Sequence, residues 1–311
     1  MGDPSATSRR DAPRVSVVVP VFNGRDCVAD AVGSVLAQEF DDFELIAVDD
    51  GSTDDTPQVL ARFGERITVF RQANRGLPAA RNAGILLSRG ELLLFLDADD
   101  LWPAGYLERF VAVAEAAPGV EVFHCGWRGV DWGGRELYTH LEPLPIDADP
   151  FHDLVVTGSP HIDALMIRRR VLPRVGLFDV RLTLQEDWDF WLRLAAAGAA
   201  FRGVPENVVS IRRSPTSMSG SAGGRLALTG LAVLERQLAL HPRCPACPRA
   251  DQGLAAWRRV AVRSSAHHLA RRLHLSGGFG RWLGLALATL RTPRLAGAAA
   301  SELAAGFRRR R

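Results

Sequence analysis

Apolar positions in the first 120 residues follow two alternating rhythms. Short, nearly uniform apolar runs occur at Val15-Ser16-Val17-Val18-Val19-Pro20, Phe43 to Val48, Ile67 to Phe70 and Glu91 to Leu96. Such runs predict strands buried on both faces, and Pro20 is expected to end the first of them. Between them, apolar residues recur at helical spacing: Val28, Ala31, Val32, Val35 and Leu36 within Cys27 to Gln38, then Val59, Leu60 and Phe63, then residues 78–89. Strands alternating with helices of about ten residues predict βαβ units, hence a mostly parallel, Rossmann-like sheet flanked by helices. After residue 118 the rhythm changes. Val120 to Val130 reads as a strand, Trp132-Gly133-Gly134-Arg135 as a hairpin turn, and residues 141–150 as a Pro- and Asp-rich loop. His161 to Arg168 reads as a strand, Glu186 opens a helix that stops at Gly198, and Asn207 to Arg212 reads as a last strand. From Leu226 onward the pattern is helical, with breaks at 242–248 and 276–280.

The strands empty into acids. Glu91-Leu92-Leu93-Leu94-Phe95-Leu96 runs into Asp97-Ala98-Asp99-Asp100, three carboxylates in four positions. In open α/β sheets, ligands bind beyond the carboxyl ends of the strands. Clustered carboxylates repel one another, and hard oxygen ligands of this kind suit Mg²⁺ or Mn²⁺. The plainer reading is a surface turn with Asp at a helix N-cap, because Trp102-Pro103 and a helical pattern follow. Asp49-Asp50-Gly51-Ser52 is a second acidic strand end, beside the first strand's Pro20-Val21-Phe22-Asn23. A carboxylate there can accept the imide N–H of a uracil-like base or a ribose hydroxyl. The alternative is an Asx-turn with Gly51 as its left-handed residue. Asn74-Arg75-Gly76-Leu77-Pro78-Ala79-Ala80-Arg81 enters a helix with two arginines, and Arg81 could reach a diphosphate or lie on a solvated helix face. A strand end for a base, a basic helix start and a metal-binding acidic strand end together suit a nucleoside diphosphate.

Composition narrows the class without naming it. With 47% hydrophobic and 23% charged residues, 311 residues supply a core for one large α/β domain and an appendage. A formal charge of +3 is too small to argue for a nucleic-acid partner. Residues 1–13 are polar and lack an apolar signal-peptide core, so a disordered leader on a cytoplasmic protein is expected. No apolar stretch approaches the roughly 20 residues of a membrane span. Cys27 and Cys125 read as inert buried thiols. Cys244-Pro245-Ala246-Cys247, preceded by His241, could clamp zinc with help from His267, His268 or His274; a plain Pro-rich turn between helices is the preferred reading.

The ordered motifs Val-Val-Val-Pro-Val-Phe-Asn, Val-Asp-Asp-Gly-Ser-Thr-Asp-Asp-Thr, Asn-Arg-Gly-Leu-Pro-Ala-Ala-Arg-Asn-Ala-Gly, Phe-Leu-Asp-Ala-Asp-Asp and Glu-Asp-Trp-Asp-Phe-Trp-Leu-Arg run from Val15 to about Ser219. Each is weak alone. As a set they resemble glycosyltransferase family 2, the inverting enzymes of the GT-A fold. The resemblance implies that Pro20, Phe22 and Asp50 line the nucleoside and that Asp97 lies on the ribose side. It further implies that Asp99, with Asp100, binds Mn²⁺ or Mg²⁺ and that Arg81 lies near the donor. Asp187 matches the family's catalytic base, with Glu186 and Trp188 as candidate acceptor contacts. Inversion needs such a group, because the attacking hydroxyl must lose its proton to a positioned base. On its own, Glu186-Asp187 would read as favourable charge at a helix N-terminus. Ile211-Arg212-Arg213-Ser214-Pro215-Thr216-Ser217-Met218-Ser219 loosely matches the family's donor-covering loop, which puts Arg212 or Arg213 on the diphosphate. Trp127, Trp188 and Trp191 could offer faces to an acceptor, although such aromatics more often fill a core.

The expected organisation is a leader over 1–13, a GT-A domain over 14–220 and a helical C-terminal extension over 221–311. The expected function is metal-dependent inverting transfer from a nucleotide-sugar, UDP-linked for preference, to a hydroxyl of a glycan, lipid-linked or small-molecule acceptor. A catalytically inactive binding module is the first alternative. A sugar-nucleotide pyrophosphorylase is the second, although Pro20-Val21-Phe22-Asn23-Gly24 lacks the Gly- and Lys/Arg-rich loop that class needs. In the extension, residues 254–275 carry Trp257, Leu269 and Leu273, and residues 279–307 carry Trp282, Leu283, Leu285, Leu287 and Leu290. Arg281, Arg291, Arg294 and Arg308 to Arg311 flank the latter. An apolar face with basic flanks suits peripheral contact with an anionic membrane. The preferred alternative packs these helices on the catalytic domain or on a second copy of the chain.

Overall fold

The computed structural model describes residues 12–213, 222 and 224–272, the side chains of 224 and 265–272 excepted. Most of the expected leader, the loop over 214–219, the side chains of His267, His268 and Leu269, and Leu273, His274 and the helix expected over 279–307 with its flanking arginines therefore lie outside the described residues.

The β-branched run at the start becomes β1 (Val15–Val21), which sits between two parallel neighbours. On one side lies β2 (Phe43–Asp49), in register from Val15 opposite Phe43 to Val21 opposite Asp49. On the other lies β4 (Leu92–Phe95), paired from Val15 opposite Leu92 to Val18 opposite Phe95. β3 (Thr68–Arg71) pairs parallel with β2. The crossovers carry α1 (Val28–Leu36), α2 (Thr56–Ala61) and α3 (Leu77–Leu87). This order places the carboxyl ends of β2, β1 and β4 side by side, which brings both acidic strand ends together. β1 continues one residue past Pro20. The Leu96 N–H donates to the Val18 carbonyl, so residue 20 also points toward β4, whose pairing has already ended. The ladder there asks nothing of the missing proline N–H.

The second half of the sheet mixes directions. β5 (Val122–Val130) follows α4 (Tyr106–Ala116), and β6 (Glu136–His140) returns antiparallel to it across a turn held by Asp131. β7 (Leu165–Arg168) lies antiparallel between β4 and β5, and β8 (Phe201–Arg212) pairs parallel with β5. Residues 162–164 are a 3₁₀ turn rather than the start of a strand. β8 begins six residues earlier than its apolar pattern suggested. Gly203 and Pro205 make that stretch read as loop, yet the strand absorbs them in a bulge: His124 pairs with Gly203 and Gly126 with Val208, with Glu206 left-handed in between. A short helix, α6 (Leu172–Val175), follows β7.

The chain divides into two compact units, not at one point along the sequence. The first holds the whole sheet: the described residues up to Leu144, with Pro160–Val180 and Ala199–Arg212. Its core joins Val17, Val19, Leu94, Leu96, Tyr106, Phe110 and Phe123. The second gathers Pro145–Ser159, Arg181–Gly198 and the described residues from Arg213. It is built from α5 (Pro150–Thr157), α7 (Glu186–Ala196), α8 (Gly224–Leu240) and α9 (Cys247–Arg272). Of α5, the sequence pattern placed only Pro150, at the end of the 141–150 loop; Pro150 occupies the first turn of the helix, and Phe151, Leu154 and Val155 are buried. Within this unit, buried Asp189 accepts hydrogen bonds from Arg193 on its own helix and from Arg236 and Gln237 on α8. Among the described residues no helix is long and apolar enough to cross a membrane.

Two helical glycines give a test of opposite sign. A Cβ at Gly84 on α3 would lie 2.2 Å from Val18 Cγ1 of β1, whereas one at Gly33 on α1 would meet nothing within 4 Å. Helix propensity alone favours alanine at both by about 1 kcal/mol. Gly33→Ala should raise the urea midpoint. Gly84→Ala should lower it, because overpacking costs about 1–3 kcal/mol. A stabilised Gly84→Ala chain would show that α3 does not pack this closely on β1.

Candidate active site

The loops after β1 and β2 are cross-linked before any ligand arrives. Asn23 is left-handed (φ 52°), a conformation Asn tolerates. Its N–H donates to Ser52 Oγ (2.9 Å), and its side-chain oxygen accepts the Thr53 N–H (2.8 Å). Asp49 accepts the Ser52 N–H, and Gly51 is left-handed (φ 80°) with its α-carbon tight against the Asn74 backbone. Phe22, beside this turn, is 50% exposed, while Pro20 is buried.

Asp50 is buried, and its carboxylate organises the entry to α3. Oδ1 accepts hydrogen bonds from Gln72 Nε2 (2.7 Å) and the Arg75 N–H (3.0 Å), and Oδ2 accepts the Gly76 N–H (2.8 Å). A carboxylate has about four acceptor sites, so capacity for about one more donor remains. The sequence pattern suggests a ligand-facing role for Asp50 and gives no sign of this structural one.

At the end of β4, Asp97 accepts a hydrogen bond from Arg81 Nη2 (2.7 Å), and its N–H donates to Asp163 Oδ1 (2.9 Å). Arg81 is buried with its guanidinium over the Phe178 ring, so it reads as the partner of Asp97 rather than as a solvated helix residue. Asp100, 2% exposed, accepts the Arg212 N–H (2.7 Å) and shares a side-chain hydrogen bond with Asp163. One ligand atom each from Asp97, Asp100, His161 and Asp163 lies within 4.8 Å of the others. Asp99 adjoins this group and is half-buried.

Burial first, and then Asp163, push the carboxyl groups of Asp99 and Asp100 above the ordinary range, Asp100 strongly. Burial raises Asp97 to about 6 against the opposing charge of Arg81. Burial also acts on Asp163, but His161 and the hydrogen bonds from Asp100 and the Asp97 N–H hold it below the ordinary range. The site thus gathers more negative charge than its cations neutralise. A donor set of carboxylate oxygens with one imidazole fits Mg²⁺ or Mn²⁺. His161 and Asp163 were missed in the sequence because they precede β7 directly and were absorbed into its apolar run. The carboxylate just ahead of that run was the available signal.

Arg212 ends β8. Its guanidinium pairs with Asp30 of α1 (2.9 Å) and lies over the Trp132 ring. Glu186, Asp187 and Trp188 belong to the second unit, in the first turn of α7. Asp187 is half-buried and accepts the Trp188 N–H (2.7 Å), and Glu186 is buried. Trp188 does not offer its face: it is 2% exposed, packs edge-on against Trp257 and donates its indole N–H to the Leu154 carbonyl. Trp191 is fully buried. Both fill the core of their unit.

A mostly parallel sheet with carboxylates gathered beyond its strand ends defines an α/β protein of the GT-A kind, and comparison with known proteins agrees. The family model described as glycosyl transferase family 2 matches residues 16–176, and the chain belongs to that family. An uncharacterized glycosyltransferase of Rickettsia typhi is 30% identical over 198 residues, covering 61% of this chain and 61% of that protein. The chain thus spans about three fifths of the length of that relative. A PGL/p-HBAD biosynthesis glycosyltransferase of Mycobacterium bovis is 32% identical over 58% of this chain and 70% of its own. In three dimensions, S. aureus TarS in complex with UDP superposes with a TM-score of 0.65 at 19% identity, over 94% of this chain and 92% of its own. The mannosyltransferase PcManGT of Pyrobaculum calidifontis, in complex with GDP-Man and Mn²⁺, gives 0.61 at 22% identity, over 94% and 87%. These likenesses show the fold.

Replacing Asp50 by Asn keeps the shape but turns one acceptor into a donor aimed at backbone N–H groups. A mismatch of this kind costs about 1–3 kcal/mol. Asp50→Asn should therefore lower the denaturation midpoint of the ligand-free protein. An unchanged midpoint would remove Asp50 from its place as organiser of the 72–76 loop.

Proposed function

We propose that this chain is a metal-dependent inverting glycosyltransferase that takes a UDP-linked sugar and transfers it to a hydroxyl of a glycan, lipid-linked or small-molecule acceptor. The observation that carries the reading is the alignment of three parallel strand ends, which groups Phe22, Asp50 and the Asp97–Asp100 carboxylates. Family membership supports transfer chemistry, and the complexes of TarS with UDP and with UDP-GlcNAc favour uracil as the base.

In this reading Phe22 and Pro20 wall the base, and the remaining acceptor capacity of Asp50 takes the imide N–H or a ribose hydroxyl. Asp97, fixed by Arg81, faces the ribose side. Asp99 with Asp100 holds the divalent ion, and Asp163 and His161 supply the anionic surroundings that retain it. A bound ion would offset the charge that develops on the departing diphosphate. Arg212 is held by Asp30, whose side chain is 62% exposed. The Arg212 side chain is 7% exposed, and a phosphate that displaced Asp30 would satisfy the same charge. Asp187 removes the proton from the acceptor hydroxyl as that oxygen attacks the anomeric carbon opposite the leaving nucleotide.

Two measurements test the assignment. Calorimetric titration with UDP should show binding in Mn²⁺ or Mg²⁺ and none in EDTA. Asp99→Ala should weaken binding in metal by at least the roughly 10–100-fold typical of groups behind a ligand. Equal binding with and without metal would remove the ion from the site. Separately, Asp187→Asn should reduce turnover by roughly 10²–10⁴-fold while leaving donor affinity intact. Turnover near that of the parent would move the base elsewhere, with Glu186 next to be changed.

A further inference from the structure

The helical unit contains a second group of metal-ligating side chains, chemically unlike the first. His241, Cys244 and Cys247 lie in the turn between α8 and α9, spaced His-x-x-Cys-x-x-Cys. His152 on α5 joins them from about 90 residues away, and one ligand atom from each of the four lies within 4.8 Å of the others. We propose that His152, His241, Cys244 and Cys247 form a structural zinc site.

Two of the six edges between the ligand atoms already have tetrahedral lengths, and all six are within 4.8 Å. With Zn–S of about 2.3 Å and Zn–N of about 2.0–2.1 Å, tetrahedral geometry requires S···S edges of about 3.8 Å and S···N edges of about 3.5 Å. Cys244 Sγ and Cys247 Sγ are 3.7 Å apart, and Cys244 Sγ lies 3.4 Å from His152 Nε2. A disulfide would need the two sulfurs at about 2.0 Å.

The surroundings orient the ligands as a metal requires. Asp149 Oδ1 lies 2.8 Å from His152 Nδ1, which fixes the proton on that nitrogen and leaves Nε2 a lone pair toward the sulfurs. The His241 ring stacks on Phe151, with centroids 4.1 Å apart and planes 15° from parallel. Both of its ring nitrogens are buried, and among the described residues neither has a hydrogen-bond partner. Buried polar atoms are nearly always satisfied, and a metal would satisfy one of these. The Cys244 N–H points at Cys247 Sγ (3.3 Å), as expected for stabilising a thiolate. Sulfur and imidazole ligands select zinc, whereas the carboxylate group of the first unit suits Mg²⁺ or Mn²⁺. Four protein ligands leave no open position, so the site is structural: it clasps the α8–α9 turn to α5. Among the described residues the fourth ligand is His152.

The site is independent of the transfer reading and can be tested whether or not that reading holds. The full chain, purified under reducing conditions without chelator, should contain about one zinc per molecule by elemental analysis. The Cys244→Ser, Cys247→Ser double variant should lose it, and Cys27→Ser should retain it. Because the double variant could fail to fold, the parent chain is also refilled with Co²⁺. It should give the intense visible bands of tetrahedral cobalt and a near-ultraviolet thiolate-to-cobalt band, and added Zn²⁺ should abolish both. Substoichiometric zinc together with no thiolate–cobalt band on the reduced parent chain would overturn the proposal. So would Cys244 and Cys247 found joined as a disulfide in freshly purified protein.

Discussion

The burial of three carboxylates at one strand end is the constraint on which the sheet unit turns. Asp97, Asp100 and Asp163 cannot all be ionised within 4.8 Å of one another without opposing charge. The fold answers in three ways. Arg81 brings a buried guanidinium from α3, held flat by Phe178. His161 lies against Asp163 from the 3₁₀ turn ahead of β7. Asp100 shares a side-chain hydrogen bond with Asp163, and the backbone N–H groups of Asp97 and Arg212 donate to one oxygen of Asp163 and one of Asp100, respectively. These partners come from four segments: α3, the end of β4, the 3₁₀ turn ahead of β7 and the end of β8. Their meeting depends on the antiparallel insertion of β7 beside β4, the point at which the sheet departs from all-parallel order.

The same logic explains how the neighbouring loops are fixed. Loops beyond a parallel sheet have no ladder to satisfy their backbone, so side chains take that role. Asp49, Asp50 and Asn23 each accept main-chain N–H groups, and together they tie the ends of β1 and β2 to the start of α3. Two consecutive aspartates thus do different work. Asp49 closes its own turn, while Asp50 reaches across to the next loop and keeps acceptor capacity for a ligand. In the helical unit, Asp189 plays an equivalent part for α7 and α8.

Much of this was legible in the chain because periodicity reports burial. The strands β1 to β4 and their crossover helices follow directly from short apolar runs and helical spacing, and the two acidic strand ends stand out because charge interrupts hydrophobicity abruptly. What stayed hidden depends on long-range pairing. Gly203 and Pro205 disguise half of β8, because nothing local says that β5 will tolerate a bulge there. His161 and Asp163 carry no motif of their own and matter only because β7 returns beside β4. Trp188 and Asp187 are adjacent in sequence, yet one is core and the other half-buried, a difference set by Trp257 and Leu154.

His152 shows the same limit most sharply. A Cys-x-x-Cys with a nearby histidine leaves the fourth zinc ligand unspecified, with His267, His268 and His274 as candidates. The structure supplies a histidine from α5, a helix whose residues beyond Pro150 carry no assignment in the sequence reading. The two ligand groups then separate by chemistry. Affinity order alone would let zinc outcompete Mg²⁺ or Mn²⁺ at most sites of mixed ligands, so selectivity must come from ligand type and geometry. Carboxylate oxygens around Asp97 and thiolates around Cys244 differ enough for each unit to favour its own ion. A zinc held by four protein ligands has no position for substrate, so its contribution is to stability, whereas the hard-ligand group can share its ion with phosphate oxygens.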